Sequence, residues 1–269
     1  MSSALPFCRA LLPASWQLSS WSALRSLAAL VTLFASAACL AQADYARERR
    51  WANEITPGLV VGDAVYLAQK SGHKFLAIYT AAAKPRAAVI TVHGMGVHPD
   101  WALIGALRSG LADQGYATLS VQMPVLAADA KADAYPPLFS DAAERLHVAV
   151  AFLKAKGHRN IAIASHSLGS RMSNYFLVGT PDHGVAAWIS IGIVPGEFAE
   201  PGKLQLPVLD IYGERDFPQV LQQAEARANV LRTLRGSAQI EIAGADHYFG
   251  GSEGDLVRQV RQFLDQKFK

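Results

Sequence analysis

Cysteine is scarce in this chain: two residues of 269, Cys8 and Cys39, both close to the amino end. Everything beyond residue 39 therefore lacks a disulfide framework and cysteine ligands for zinc. Charge is also sparse, at 17% of residues with a net value of +3. No basic run with interleaved aromatics occurs, which argues against nucleic acid as a partner. H-E-x-x-H is missing, and the spacing of His93, His98 and His166 fits no zinc signature, so neither a metal nor another cofactor is expected. Internal repeats, low-complexity stretches and mid-chain linkers are likewise absent after residue 44. What remains is 51% hydrophobic, the composition of an ordinary globular domain with a sizeable core.

The first 43 residues contain no acidic side chain and two arginines, Arg9 and Arg25. They end in the apolar run "SLAALVTLFASAACLAQA", closed by the small-x-small triplet Ala41-Gln42-Ala43 before the polar "DYARERR". A basic start, an apolar stretch and small residues before a polar chain are the parts of a secretory signal peptide. Residues 1–43 are expected to be that leader and 44–269 a single domain, exported to the periplasm or secreted. An uncleaved anchor is the alternative, but the run is short and alanine-rich for a span of about 20 residues. A lipoprotein reading at Cys39 is weaker, because Ser36 stands where a bulky aliphatic belongs. Cleavage would remove both thiols, lower the net charge to +1 and leave no stable membrane span.

Beyond residue 44, short apolar segments alternate with longer helical ones. "LVVGDAVYLA" and "HKFLAIYTA", around Lys70-Ser71-Gly72, predict an antiparallel hairpin. Buried strands follow at "AAVITVHG", "YATLSVQMP", "NIAIAS", "VAAWISIG", "LPVLDIYG" and "AQIEIAG". Between them lie helical patterns: "WALIGALRSGLADQG", a helix starting on Asp141 and ending at Gly157, "LGSRMSNYFLVG", one from Pro218 to about Arg235, and a last helix at the carboxyl end. Strands alternating with helices after a hairpin predict a three-layer α/β domain. Its sheet is mostly parallel, opened by an antiparallel hairpin, with helices on both faces. Functional groups in such sheets collect beyond the carboxyl ends of the strands.

Four strand ends carry reactive chemistry. "SHSLG" places Ser167 between a strand and a helix, as a nucleophile elbow does, with Ser165 in place of the usual first glycine. By itself this is also how a serine caps an ordinary helix. "DIYGERDFP" offers Asp216 in a loop after a strand as the acid that holds a histidine's tautomer, whereas Asp210 lies within the strand. A turn or helix-cap aspartate is the structural reading of Asp216. "IAGADHYFGG" offers His247, whose ordinary pKa of about 6.5 leaves it neutral enough to act as a base. "VHGMG" supplies His93, Gly94 and Met95. There the Met95 amide, together with the Leu168 amide, would form an oxyanion hole for acyl transfer. His93 is placed to brace that loop, and His93, Gly94 and His166 are candidates to line the pocket. The chain order of serine, aspartate and histidine makes the four signals mutually consistent.

These motifs resemble the α/β-hydrolase fold over about residues 55 to 268. "HGMGVHPDW", "GYATLSVQMP" and "ASHSLGS" together resemble an exported proteobacterial α/β-hydrolase family of unknown function. "YGERD" and "DHYF" are similar, more distantly, to dienelactone-hydrolase-like proteins and small carboxylesterases. The resemblance implies Ser167 as nucleophile, His247 as base and Asp216 as acid. It implies a serine hydrolase that cleaves a small carboxylic ester or thioester through an acyl-enzyme. A non-catalytic envelope binding protein on the same scaffold, or a peptidase, are the alternatives. About forty residues separate Ser167 from the acid-bearing strand, too few for a large cap. The Pro- and Ala-rich stretch 125–140 is expected as a lid loop, with Tyr135, Leu138 and Phe139 as an apolar wall.

Overall fold

Eight strands form one sheet in the computed structural model, which describes residues 42–269. Helix α1 (Tyr45–Ile55) comes first, followed by β1 (Asp63–Ala68), β2 (Lys74–Thr80) and β3 (Ala88–Val92). Next come α2 (Ala102–Asp113), β4 (Ala117–Val121), α3 (Phe139–Ala155), β5 (Ile161–His166), α4 (Leu168–Gly179) and β6 (Ala187–Ile191). The chain finishes with β7 (Val208–Arg215), α5 (Pro218–Gln222), α6 (Ala224–Thr233), β8 (Ala238–Asp246) and α7 (Glu253–Lys267). The spatial order is β1-β2-β4-β3-β5-β6-β7-β8. β1 and β2 pair as the expected antiparallel hairpin, β2 also runs antiparallel to β4, and every later pairing is parallel.

The central strands β3, β5 and β6 are buried at every position, which is why their sequences read as nearly unbroken apolar runs. Successive side chains point to opposite faces and build two cores. Ile90, Val92, Ile161 and Ile163 pack under α3 and α4, while Val89, Ala162, Ala164 and Ile189 pack under α2 and α7. Burying each of the larger aliphatic side chains contributes about 1.5–3 kcal/mol. Both faces of the sheet are thus covered, as the three-layer reading requires. Among the described residues no helix is long and apolar enough to cross a membrane.

Some boundaries differ from expectation. β1 begins at Asp63 rather than Leu59, because Gly62 turns the chain at φ 81° just before it. α3 begins at Phe139 instead of Asp141, since the 3-10 turn Pro136–Leu138 leads straight into it. The helix expected from Pro218 is two, interrupted at Gln223. Helix α1 was not expected at all. Its Asp44 carboxylate accepts the Arg47 N–H at 2.9 Å as an N-cap, and its buried residues are Glu48 and Ala52. Glu48 pairs with Arg145 of α3 at 2.9 Å, both side chains sealed from solvent. The expected leader, residues 1–43, lies almost wholly outside the described residues.

Candidate active site

Ser167 joins β5 to α4 with φ 56° and ψ −123°, a conformation that non-glycine residues rarely adopt. Its surroundings explain how the turn fits. A Cβ on Gly169 would be driven into the His93 carbonyl, so that position must be glycine. Ser165 is fully buried, and its hydroxyl accepts the indole N–H of Trp188 at 2.8 Å. Ser170, in the first turn of α4, donates to the Ser165 carbonyl at 2.5 Å. Ser167 itself donates its N–H to Ile191 at 2.8 Å, which extends the β5–β6 ladder through the turn.

The three strand ends singled out in the sequence come together. Nε2 of His247 lies 2.9 Å from the Ser167 hydroxyl, and Nδ1 lies 2.6 Å from Asp216 Oδ1. Burial works to raise the Asp216 pKa. The hydrogen bond and charge of His247, with the amides of Phe217 and Gly213, outweigh it and leave the carboxyl below its ordinary value. Asp216 is therefore an ionised acceptor, Nδ1 of His247 carries the proton, and Nε2 offers its lone pair to Ser167. A hydroxyl so paired can attack an electrophile while the imidazole takes its proton. Asp210, the other aspartate of this region, is sealed in β7 and paired with Arg227 at 2.8 Å.

Two neighbours fix the imidazole. The Phe217 ring stacks on it, with centroids 3.9 Å apart. His166 donates from Nε2 to the His247 carbonyl at 2.8 Å. Burial, with the nearby His247, lowers the His166 pKa to about 4, so its ring is neutral.

The loop after β3 forms the opposite wall. His93 is buried there, its pKa lowered by burial to about 3. Its Nε2 accepts the Met123 N–H at 2.9 Å, so the proton sits on Nδ1, which donates to the Gly94 carbonyl at 2.8 Å. His93 thus braces the loop and does not line the pocket. Met95 is exposed at the cavity rim. Leu168 is the first residue of α4, where helix amides lack intrahelical acceptors and the helix dipole is positive.

A cavity of about 240 Å³ opens over Ser167. Gly94, Met95 and His166 line it, together with Val97, Trp101, Phe217 and Tyr248, which sequence reasoning missed. Adjacency was the available signal, since Phe217 follows the acid, Tyr248 follows the base and Trp101 closes the "HGMGVHPDW" stretch. Tyr135 and Phe139 are not in the wall. Both are buried in the core under α3 and α4, where the Tyr135 hydroxyl accepts the Leu126 N–H at 3.2 Å. Phe139 meets Tyr175 edge-on, with centroids 5.8 Å apart. No residue of 125–140 lines the cavity. Among the described residues, no group of three or more His, Cys, Asp or Glu side chains is placed to hold a metal ion.

Comparison with known proteins agrees with this architecture. The profile of a family described as "Protein of unknown function (DUF3530)" matches residues 37–141. Against curated proteins the chain has no significant sequence match. Solved structures give broader similarity. Dienelactone hydrolase from Anabaena variabilis superposes with a TM-score of 0.63 at 18% identity, over 77% of this chain and 98% of that one. An α/β serine hydrolase homologue from Coxiella burnetii gives 0.60 at 17% identity, over 77% and 99%. The Pyrococcus furiosus esterase Pf2001 gives 0.63 at 13% identity, over 77% and 93%. The chain has the α/β-hydrolase fold.

Proposed function

We propose that the protein is a serine hydrolase that cleaves a small, uncharged carboxylic ester or thioester. The hydrogen-bonded series Ser167–His247–Asp216 at the cavity floor carries this reading. Ser167 Oγ attacks the carbonyl carbon while His247 Nε2 takes its proton. The oxyanion that forms is stabilised by the amides of Met95 and Leu168. Collapse breaks the bond to the leaving oxygen or sulfur, which receives the proton from His247, and the acyl group stays on Ser167. Water then attacks the acyl-enzyme, His247 takes its proton and returns it to Ser167, and the carboxylic acid leaves. The small cavity, with aromatic walls and no charged side chain beyond the relay, supports a short apolar acyl or alcohol group. The neighbours named as a dienelactone hydrolase and an esterase are consistent with such chemistry. The composition of residues 1–43 supports export, with removal of the leader before Asp44.

The test is labelling by a fluorophosphonate, with turnover of short p-nitrophenyl esters. Wild type reacts at Ser167 and hydrolyses the esters, Ser167→Ala does neither, and protein recovered from the envelope fraction begins at Asp44. Folded wild type that is inert toward both reagents would sink the hydrolase and leave a binding protein on this scaffold.

A further inference from the structure

Helix α1 stands outside the strand–helix alternation, yet its side chains reach the strand ends that form the site. Arg47 donates from Nη2 to the Gly96 carbonyl at 2.9 Å and from Nη1 to the Leu126 carbonyl at 2.7 Å. Its guanidinium lies 4.5 Å over the Trp51 ring one turn along the same helix. A single planar fork therefore ties the loop after β3 to the loop after β4. The next residue, Glu48, holds Arg145, which donates to the Gln122 carbonyl at 3.0 Å beside the Met123 amide that His93 accepts.

The tied loop needs outside support. Gly94 and Gly96 flank Met95, and Gly96 sits at φ 68°, so the residues on both sides of Met95 are glycines with intrinsic backbone freedom. The Met95 side chain is 44% exposed and contributes no packing anchor of its own. Among the described residues, only two hydrogen bonds hold Gly94 to Val97: His93 to the Gly94 carbonyl and Arg47 to the Gly96 carbonyl. An oxyanion donor acts only when held about 2.7–3.1 Å from the developing charge.

We infer that Arg47 is a positioning residue for catalysis: His93 holds the Gly94–Met95 peptide from one side, and Arg47, by fixing the Gly96 carbonyl, holds the turn from the other, so that the Met95 amide stays in the oxyanion hole. The inference rests on the Ser167 reading above. It makes helix α1 part of the catalytic apparatus, not only a covering for the sheet. An arginine that merely anchored a helix would lower stability when lost and leave turnover of the folded protein unchanged.

Arg47→Ala and Arg47→Lys are compared with wild type in p-nitrophenyl acetate hydrolysis. A trifluoromethyl ketone inhibitor, whose serine adduct places an oxyanion in the hole, is titrated in parallel. For folded Arg47→Ala, KM stays within roughly twofold and kcat falls by about 10- to 100-fold, below the ceiling of about 10²–10³ for a lost donor. Ketone affinity falls by the same factor as kcat/KM. Arg47→Lys retains part of the rate, because one ammonium reaches one carbonyl where the fork reaches two. It also carries the test if Arg47→Ala does not fold. Variants with wild-type kcat and ketone affinity overturn the role of Arg47 alone. Wild type that neither turns over nor binds the ketone removes the Ser167 reading and this one with it.

Discussion

His247 and Asp216 stand in loops fastened by one another and by residues adjacent to the relay, whereas the Met95 loop is held by its neighbour His93 and by a distant helix. On the acid–base side, Asp216 takes the amides of Phe217 and Gly213, Phe217 stacks on His247, and His166 holds the His247 carbonyl. All of these groups lie within three residues of a relay member. On the side of the proposed oxyanion donor, two glycines flank Met95, His93 holds the Gly94 carbonyl, and the hold on Gly96 comes from Arg47, 49 residues earlier. The first half is organised by residues at the ends of the relay's own strands, the second also by a helix that stands outside them. Damage to the first should therefore abolish chemistry with little effect elsewhere, while damage to the second should grade the rate.

The largest effect expected on the first half is that of Asp216→Asn. The variant keeps the shape and packing, but the amide favours the wrong imidazole tautomer, with the proton on Nε2 facing Ser167. A loss in kcat of about 10⁴ is expected on p-nitrophenyl acetate, with only a small fall in thermal midpoint at neutral pH from the lost carboxylate. A loss of only tenfold, comparable with the change expected at Arg47, would erase the contrast between the halves.

Acid stability compares them at intermediate size, because each half contains one deeply buried neutral imidazole. Unfolded, His93 and His166 bind a proton near pH 6.5; folded, they resist until about 3 and about 4. Between these values the unfolded chain holds more protons. Their stability contribution is therefore intact above about pH 6.5 and is lost as pH falls, by up to about 1.4 kcal/mol per pH unit for each. His98, His158 and His183, also lowered by burial, act in the same direction. Asp216, whose pKa is depressed, adds its own loss only below the ordinary carboxylate range. Urea midpoints between pH 7 and 4.5 should fall steeply for wild type and less steeply for His166→Gln and for His93→Gln. A wild-type slope in either variant would mean that its imidazole is not the neutral group described.

The same contrast explains what was legible in the sequence. The meeting of Ser167, Asp216 and His247 could be read because each closes its own strand and they follow one another in a fixed order along the chain. The layers could be read because β3, β5 and β6, buried on both faces, leave unbroken apolar runs. Tyr135 and Phe139 were misplaced because composition does not say which way an apolar side chain points. After β4 these two turn under α3 and α4, away from the cavity. Helix α1 escaped notice because its buried residues are Glu48 and Ala52, which make no apolar stripe. Docking through Arg47 and Glu48 leaves no periodic trace, so the sequence shows the "VHGMG" loop and conceals the helix that holds it.

Ser165 lies beneath Ser167, the proposed nucleophile, between the two halves, and gives the smallest expected effect. It occupies the place where an elbow ordinarily has glycine. The hydroxyl accepts the Trp188 indole N–H, and the backbone carbonyl accepts Ser170. Ser165→Gly restores the ordinary motif but strands a buried indole donor, at a cost of about 1–3 kcal/mol. Trp188→Phe removes that donor, so the double variant should lose less stability than the two single losses combined. Throughout, kcat should change by less than about twofold, because neither the relay nor the oxyanion loop touches this hydroxyl. A tenfold fall in kcat for a stable Ser165→Gly protein would mean that Ser165 helps hold Ser167 in its turn. The nucleophile would then depend, like Met95, on a side chain outside its own motif.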